Sequence, residues 1–311
     1  MSYKLLSFKS GGEARAGLLV GEQVYDAARV TGKPAWVTVL GALQDWPKAH
    51  REFAAFARRV AGGKSKAKGA ALGRTKLLAP VLYPGNIYCA GANYTDHMAE
   101  MARVQGQPPG PTMKELGEKP WHFVKSSRSS IVGPGARVKL PVYSRMVDWE
   151  VELAAVIGKV ARDVPVEKAR DYVAGYTIAD DLSARDVMKR DKNPATSPFH
   201  YDWLSQKCFD GSCPLGPWIV PAGDIADPQN LALKLWVNDT LMQDSSTSKM
   251  IFDTAEQIAM LSSRVTLQPG DLVLTGTPAG VGMPRRLFLK PGDRVKLWIE
   301  SIGELSHTMV G

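Results

Sequence analysis

From residue 77 onward the chain is a succession of short β-branched segments broken by Gly and Pro, with little helical periodicity between them. Val138–Leu140, Val151–Ile157, Tyr172–Ile178, Leu231–Val237, Leu272–Leu274 and Val295–Ile299 all read as strands. Helical pattern is confined to about Asn93–Arg103, Val166–Asp171 and Thr254–Ser262. Such a chain cannot build the regular strand–helix alternation of a dinucleotide-binding fold, and it has no Gly-x-Gly-x-x-Gly phosphate loop. The fold class is α+β, mainly β. Upstream, Tyr3–Phe8, Ala16–Val20 and Gln23–Tyr25 read as short strands. Two helical stretches follow, over Ala35–Leu43 and Pro47–Ala61, the second with Phe53, Phe56 and Val60 at helical spacing. The segment Gly62–Lys68 interleaves Gly, Ser and Ala with lysines and reads as a linker. It divides the chain into a small α+β unit, residues 1–75, and a larger, mainly β region, residues 76–311.

At 311 residues, 44% hydrophobic and 23% charged, the chain has the composition of a soluble globular protein. No apolar run reaches the roughly 18 residues that a membrane span needs, so no membrane association is expected. The start, Met1-Ser2-Tyr3-Lys4, lacks the apolar stretch of a signal peptide. Three cysteines, Cys89, Cys208 and Cys213, suit a reducing compartment and are expected as thiols packed in the core. A cytoplasmic location is the expectation. The net charge of +8 invites a nucleic-acid partner. Its lysines cluster in the linker, and no zinc finger, aromatic RNA-binding motif or helix-turn-helix accompanies them, so none is expected. A positive surface equally draws in small anions.

Three clusters carry candidate chemistry. In Asp148-Trp149-Glu150-Val151-Glu152, residues two apart on a strand share a face. Glu150 and Glu152 then point one way while Trp149 and Val151 face the core. Paired acids repel unless a cation or proton sits between them, and an all-oxygen set suits Mg²⁺, Mn²⁺ or Ca²⁺. The alternative is a solvated strand face. In Cys89 to Glu100, Gly91 permits a sharp turn and Asn93 can cap the following helix. That helix places His97 and Glu100 at i and i+3, where a carboxylate can orient an imidazole as a base. The alternative is a chance surface pair. In Gly175 to Asp186 an apolar strand runs into Asp180-Asp181, and Arg185 follows. Arg185 can hold a substrate carboxylate or simply pair with Asp181 or Asp186. There is no Gly-x-Ser-x-Gly elbow.

Taken in order, these segments resemble the fumarylacetoacetate hydrolase family over about residues 78–305. The matching stretches are Cys89–Glu100, Phe123–Arg128 with Gly133-Pro134 behind it, Asp148–Lys159, Asp180–Asp186, Lys207–Asp210, Pro214–Trp218 and Thr275–Gly282. Arg128 stands where the family has Ser, Asp180 where it has Asn, and Met188 where several members carry a substrate-contacting Gln. The resemblance implies a mixed β-sandwich roll, usually a homodimer, of the acylpyruvase or 2-hydroxyhepta-2,4-diene-1,7-dioate isomerase type. It implies Glu150, Glu152 and Asp181 as ligands of Mg²⁺ or Mn²⁺, and His97 with Glu100 as a water-activating dyad on a lid. It further implies Lys207 as oxyanion stabiliser, and Lys125, Arg185 and Thr277 as contacts to the oxo-acid end. The reaction so implied is hydrolysis of a C–C bond in a 2,4-dioxo acid through a metal-stabilised enolate. The alternative is isomerisation or decarboxylation of a 2-hydroxymuconate-type diacid in aromatic catabolism. A lyase or dehydratase on a sugar-derived oxo acid, or a basic binding protein with structural acids, stands behind these. The segment between Asp181 and Lys207 reads as a loop whose His200, Tyr201 and Trp203 either line the far end of a pocket or lie exposed.

Overall fold

The computed structural model describes residues 2–311. A long mixed sheet forms its spine. From edge to edge run Ala70–Ala71, Gln23–Asp26, Glu13–Val20, Lys4–Ser10, Cys213–Pro221, Val173–Asp180, Val151–Ile157, Leu272–Leu274, Ile87–Ala90 and His122–Lys125. A second, five-stranded sheet contains Thr240–Ser246, Ala232–Val237, Arg294–Ile299, Gly303–Val310 and Arg137–Lys139.

The first 75 residues form the expected strands, with helices at Val39–Gln44 and Trp46–Ala61. Pro34–Val37 is a separate 3₁₀ turn that ends at Thr38, whose hydroxyl caps the next helix by accepting from Gly41 N–H. These strands join the long sheet through Leu5, opposite Ile219. The helices bury Trp36, Trp46 and Phe53 in one core with Ala154, Val156, Leu215 and Leu272.

That packing explains the central strand. Val151–Ile157 is buried at every position. Val151, Leu153, Ala155 and Ile157 enter the core that includes the second sheet's Leu235 and Leu297, while Ala154 and Val156 enter the core under the N-terminal helices. Continuous apolarity is what a strand covered on both faces needs. The expected strand over 148–157 is broken at Trp149-Glu150: Val147–Asp148 leaves to pair with Ser183–Ala184. Glu150 and Glu152 are only 6% and 0% exposed, so the solvated-face alternative does not hold.

Two further expectations need correction. Asn93 does not cap the helix Thr95–Val104, whose N-cap is Tyr94. Its side chain instead donates to Phe252 O and Thr275 O and accepts from Phe252 N–H, stitching three segments together. All three cysteines are free, but Cys208 is only half-buried. No helix of the described residues is long and apolar enough to cross a membrane.

Candidate active site

Strand register assembles the carboxylates. Val151 pairs with Asp180 and Glu152 with Ala179, and Asp181 N–H donates to Glu150 O at 3.0 Å. Antiparallel pairing therefore sets Asp181 beside the two glutamates, and one oxygen from each of the three lies within 4.8 Å of the others. On the far side of Val151–Ile157, the strand Leu272–Leu274 delivers the loop Thr275–Gly282 over the same point. Gly276 N–H donates to Glu152 Oε2 at 2.8 Å, Gly280 N–H to Glu100 Oε2 at 2.9 Å, and Gly282 N–H to Asp148 Oδ1 at 2.6 Å. Three amides of one loop thus each hold a different buried acid. Gly280 takes φ +101°, and a Cβ there would sit 2.1 Å from Met242 O, so only glycine fits.

The cations complete the cluster. Lys207 Nζ bridges Glu150 Oε2 at 3.1 Å and Asp181 Oδ2 at 2.7 Å. Lys125 Nζ donates to Asp181 Oδ1 at 2.6 Å and to Leu182 O at 3.1 Å. Arg185 pairs with Asp148 at 2.9 Å and with Glu150. Its partners are thus neither Asp181 nor Asp186. Four buried carboxylates face three cations, leaving one excess negative charge when all are ionised.

That excess falls on Glu152. Burial, then the charges of Asp181 and Glu150, push its carboxyl well above the ordinary range. Burial also acts on Glu150, but Lys207, Arg185 and His97 outweigh it and hold that carboxyl low. Glu152 Oε1 is buried and has no hydrogen-bond partner among the described residues. An orphaned carboxylate oxygen beside two other acid oxygens fits a hard divalent cation. Glu150, Glu152 and Asp181 would hold it. A divalent ion would turn the cluster from one negative charge to one positive, which then favours an anionic ligand.

A cavity of about 110 Å³ opens on this cluster. Glu150, Arg185, Lys207, Thr277 and His97 line its polar side, while Phe123, Trp203 and Met188 line the apolar side. Trp203 stacks on Phe123 with ring centroids 5.5 Å apart and lies 4.8 Å from Trp121. His200 and Tyr201 are not in the lining. His200 Nδ1 bonds Asn193 O at 2.9 Å and pins its own loop, and Tyr201 is 47% exposed.

Several expected residues sit differently from their expected roles. Lys125 lies behind Asp181 and does not reach the cavity. The Thr277 hydroxyl donates to Val151 O and accepts from Gln243 Nε2. His97 and Glu100 share a helix, but Glu100 is held by Gly280 N–H and makes no hydrogen bond to His97. His97 Nδ1 is buried without a partner, and burial lowers the imidazole's pKa below the ordinary value. The loop Thr275–Gly282 was recognised by its motif, whereas its grip on Asp148 and Glu100 had no local signal. Gln206, also in the lining, had none either.

A family model for the C-terminal region of fumarylacetoacetate hydrolase matches residues 86–310. The chain belongs to the fumarylacetoacetate hydrolase family. It is 44% identical over 236 residues to a mitochondrial oxaloacetate tautomerase of Xenopus laevis, covering 75% of this chain and 68% of that one. Among solved structures it resembles maleylpyruvate hydrolase from Sphingobium sp. SYK-6 in complex with manganese(II) and pyruvate. That match has a TM-score of 0.74 and 30% identity, covering 99% of this chain and 98% of that chain. It also resembles 5-carboxymethyl-2-hydroxymuconate delta-isomerase from Mycobacterium smegmatis, with a TM-score of 0.64 and 35% identity, covering 79% and 84% of the two chains. Members of this family thus include hydrolases, isomerases and tautomerases on one scaffold, and the fold class read from the sequence agrees with theirs.

Proposed function

We propose that this chain is a divalent-metal-dependent enzyme that interconverts the keto and enol forms of a short 2-oxo acid, with oxaloacetate the first candidate. The observation that carries this reading is His97. Its imidazole is kept neutral by burial, is unpartnered at Nδ1, and opens on the same small cavity as the carboxylate cluster. A neutral imidazole is a base ready to take a proton at neutral pH. In this reading His97 removes a proton from C3 of the acid. The proton returns to the C2 oxygen from the imidazolium or from solvent, and no other bond breaks. Lys207 and Arg185 place positive charge where the oxygen becomes negative. When bound at Glu150, Glu152 and Asp181, Mg²⁺ or Mn²⁺ supplies Lewis-acid polarisation of the oxo group.

Two further points support a short substrate. The cavity, at about 110 Å³, lies well below the roughly 300–1,000 Å³ of sites for larger ligands. Proteins 43–44% identical to this chain are named oxaloacetate tautomerases.

The second reading is C–C hydrolysis of an acylpyruvate, the reaction first expected from the sequence. It is favoured by Glu100 lying one turn from His97 and by the likeness to a maleylpyruvate hydrolase. It requires the second Glu100 oxygen, which Gly280 N–H does not hold, to engage His97 with a water. Enol-oxaloacetate absorbance separates the two. Tautomerisation predicts decay faster than in buffer, abolished by EDTA and restored by Mn²⁺ or Mg²⁺. Release of pyruvate from acetylpyruvate or fumarylpyruvate, with no acceleration of enol decay, would select hydrolysis instead.

A further inference from the structure

We infer that the Gln206 amide determines specificity by pairing with an oxygen on C4 of the 2-oxo acid, an inference that rests on the oxo-acid reading above. Gln206 lies one residue before Lys207 on the short helix Trp203–Lys207 and is 1% exposed. It lines the cavity beside Glu150, Arg185 and Lys207. Its Oε1 is buried with no partner, and its amide makes no hydrogen bond to any described residue.

Other buried amides of this protein behave differently. Asn93 bonds Phe252 and Thr275, Gln243 bonds Val151, Thr277 and Pro278, and Gln257 bonds His122 and Phe252. Buried amides are normally satisfied because desolvation without a partner is costly. Gln206 is therefore an amide kept for something that enters the cavity.

The polar lining is already divided. In the reading above, Lys207, Arg185 and a metal held by the acid cluster would take the C1 carboxylate and C2 oxygen, and His97 would face C3. The Thr277 hydroxyl is engaged by Val151 and Gln243. Met188 and Phe123 offer no hydrogen bond for an oxygen farther along the chain, and Trp203 offers only its indole N–H. Of the lining side chains beyond His97, the Gln206 amide is the unpaired one that can both donate and accept. It suits a C4 hydroxyl, carbonyl or carboxylate and gains nothing from a C4 methyl.

A matched pair of ligands isolates this term: 2-oxobutyrate and 4-hydroxy-2-oxobutyrate carry the same charge and differ by one hydroxyl. Dissociation constants are measured by calorimetry on the Mn²⁺-loaded wild type, Gln206→Met and Gln206→Leu. Wild type is expected to prefer the hydroxy acid by about three- to tenfold. Both variants should lose that preference by weakening the hydroxy acid, with 2-oxobutyrate changed less than about twofold. Their melting temperatures should not fall, because an unsatisfied buried amide is being replaced by an apolar side chain. Equal affinities in wild type, or a preference that survives in the variants, overturn the inference alone and leave Gln206 satisfied by water. Failure of wild type to bind either acid overturns the oxo-acid reading and this inference with it.

Discussion

Replacing Glu152 with Gln tests the charge balance on which the site depends. The carboxyl is fully buried, one oxygen is fixed by Gly276 N–H, and the other is orphaned. A glutamine keeps the Gly276 bond through its own oxygen and removes the charge. Two like charges within 4.8 Å of each other repel by about 3.5 kcal/mol or more at an effective dielectric near 20. Lys207, Lys125 and Arg185 already balance the neighbouring acids, so the net cost of the one uncompensated charge is smaller than this bare repulsion.

The sign follows from linkage. Glu152 is shifted up on folding, so the folded state binds more protons than the unfolded state between the ordinary Glu value, about 4.3, and the raised folded value. Its contribution to stability is fully present below that lower value and is lost as pH rises through the folded one. In EDTA, wild type should therefore lose this contribution across that window while Glu152→Gln does not. At pH 8.5 the variant should be more stable by about 1–3 kcal/mol, at roughly 2–4 °C per kcal/mol. Mn²⁺ must act oppositely. Wild type should gain about 2.7 kcal/mol at a hundred times its dissociation constant, and the variant, lacking one of three ligands, should gain far less. Thermal melting with and without Mn²⁺ reads both effects. A variant that melts below wild type in EDTA at pH 8.5, or that keeps the full Mn²⁺ shift, refutes the reasoning.

Four other outcomes are expected. His97→Gln should slow enol-oxaloacetate conversion by about 10²–10⁴ while leaving Mn²⁺-induced stabilisation intact. Because burial lowers the His97 pKa, the wild-type rate should hold as pH falls to about 6.5 and decline only below it, which a pH–rate profile checks. Gly91→Ala places a Cβ 2.4 Å from the Trp121 ring, so Trp121 must leave Trp203; KM should rise with kcat largely kept, and an unchanged KM would speak against the aromatic wall. Burial holds His122 at about 4, so its contribution to stability is present above the unfolded value near 6.5 and lost as pH falls through 4. That loss is at most about 3 kcal/mol, and His122→Gln should flatten this part of the acid-melting curve.

Local spacing made the acid cluster legible: Glu150 and Glu152 two apart at the start of a strand, and Asp181 just past the end of the next one. The loop around Asp181 and Arg185 was legible as charged, but not the identity of Arg185's partners, because Asp148 lies 37 positions away and a strand break brings it in. Asp148 itself carried no signal as an anchor. Its contact to Gly282 spans 134 positions and uses backbone N–H groups, which every residue but proline has. The same holds for Glu100 on Gly280. Lys125 reads as a cavity residue from its motif, and only the packing of Ile87–Ala90 against His122–Lys125 turns it toward Asp181. Asn93 reads as a helix cap from local sequence, yet tertiary partners at Phe252 and Thr275 take its amide.

The partners of the three candidate ligand acids differ in how freely they can move. Glu152 is set by a backbone amide in a loop whose glycine cannot be replaced, so its orphaned oxygen has a fixed place. Glu150 and Asp181 are instead satisfied by Lys207, Lys125 and Arg185, at the ends of long side chains. An ammonium can exchange for a divalent ion by rotating about its stem, whereas an amide in the Thr275–Gly282 loop cannot move without the sheet. A divalent ion held by Glu150 and Asp181 would therefore compete with Lys207 for these carboxylates. An ammonium released from those oxygens at the cavity wall needs a new anion, and an oxo acid supplies it. In the proposed reading, binding of metal and of substrate would then favour each other through Lys207.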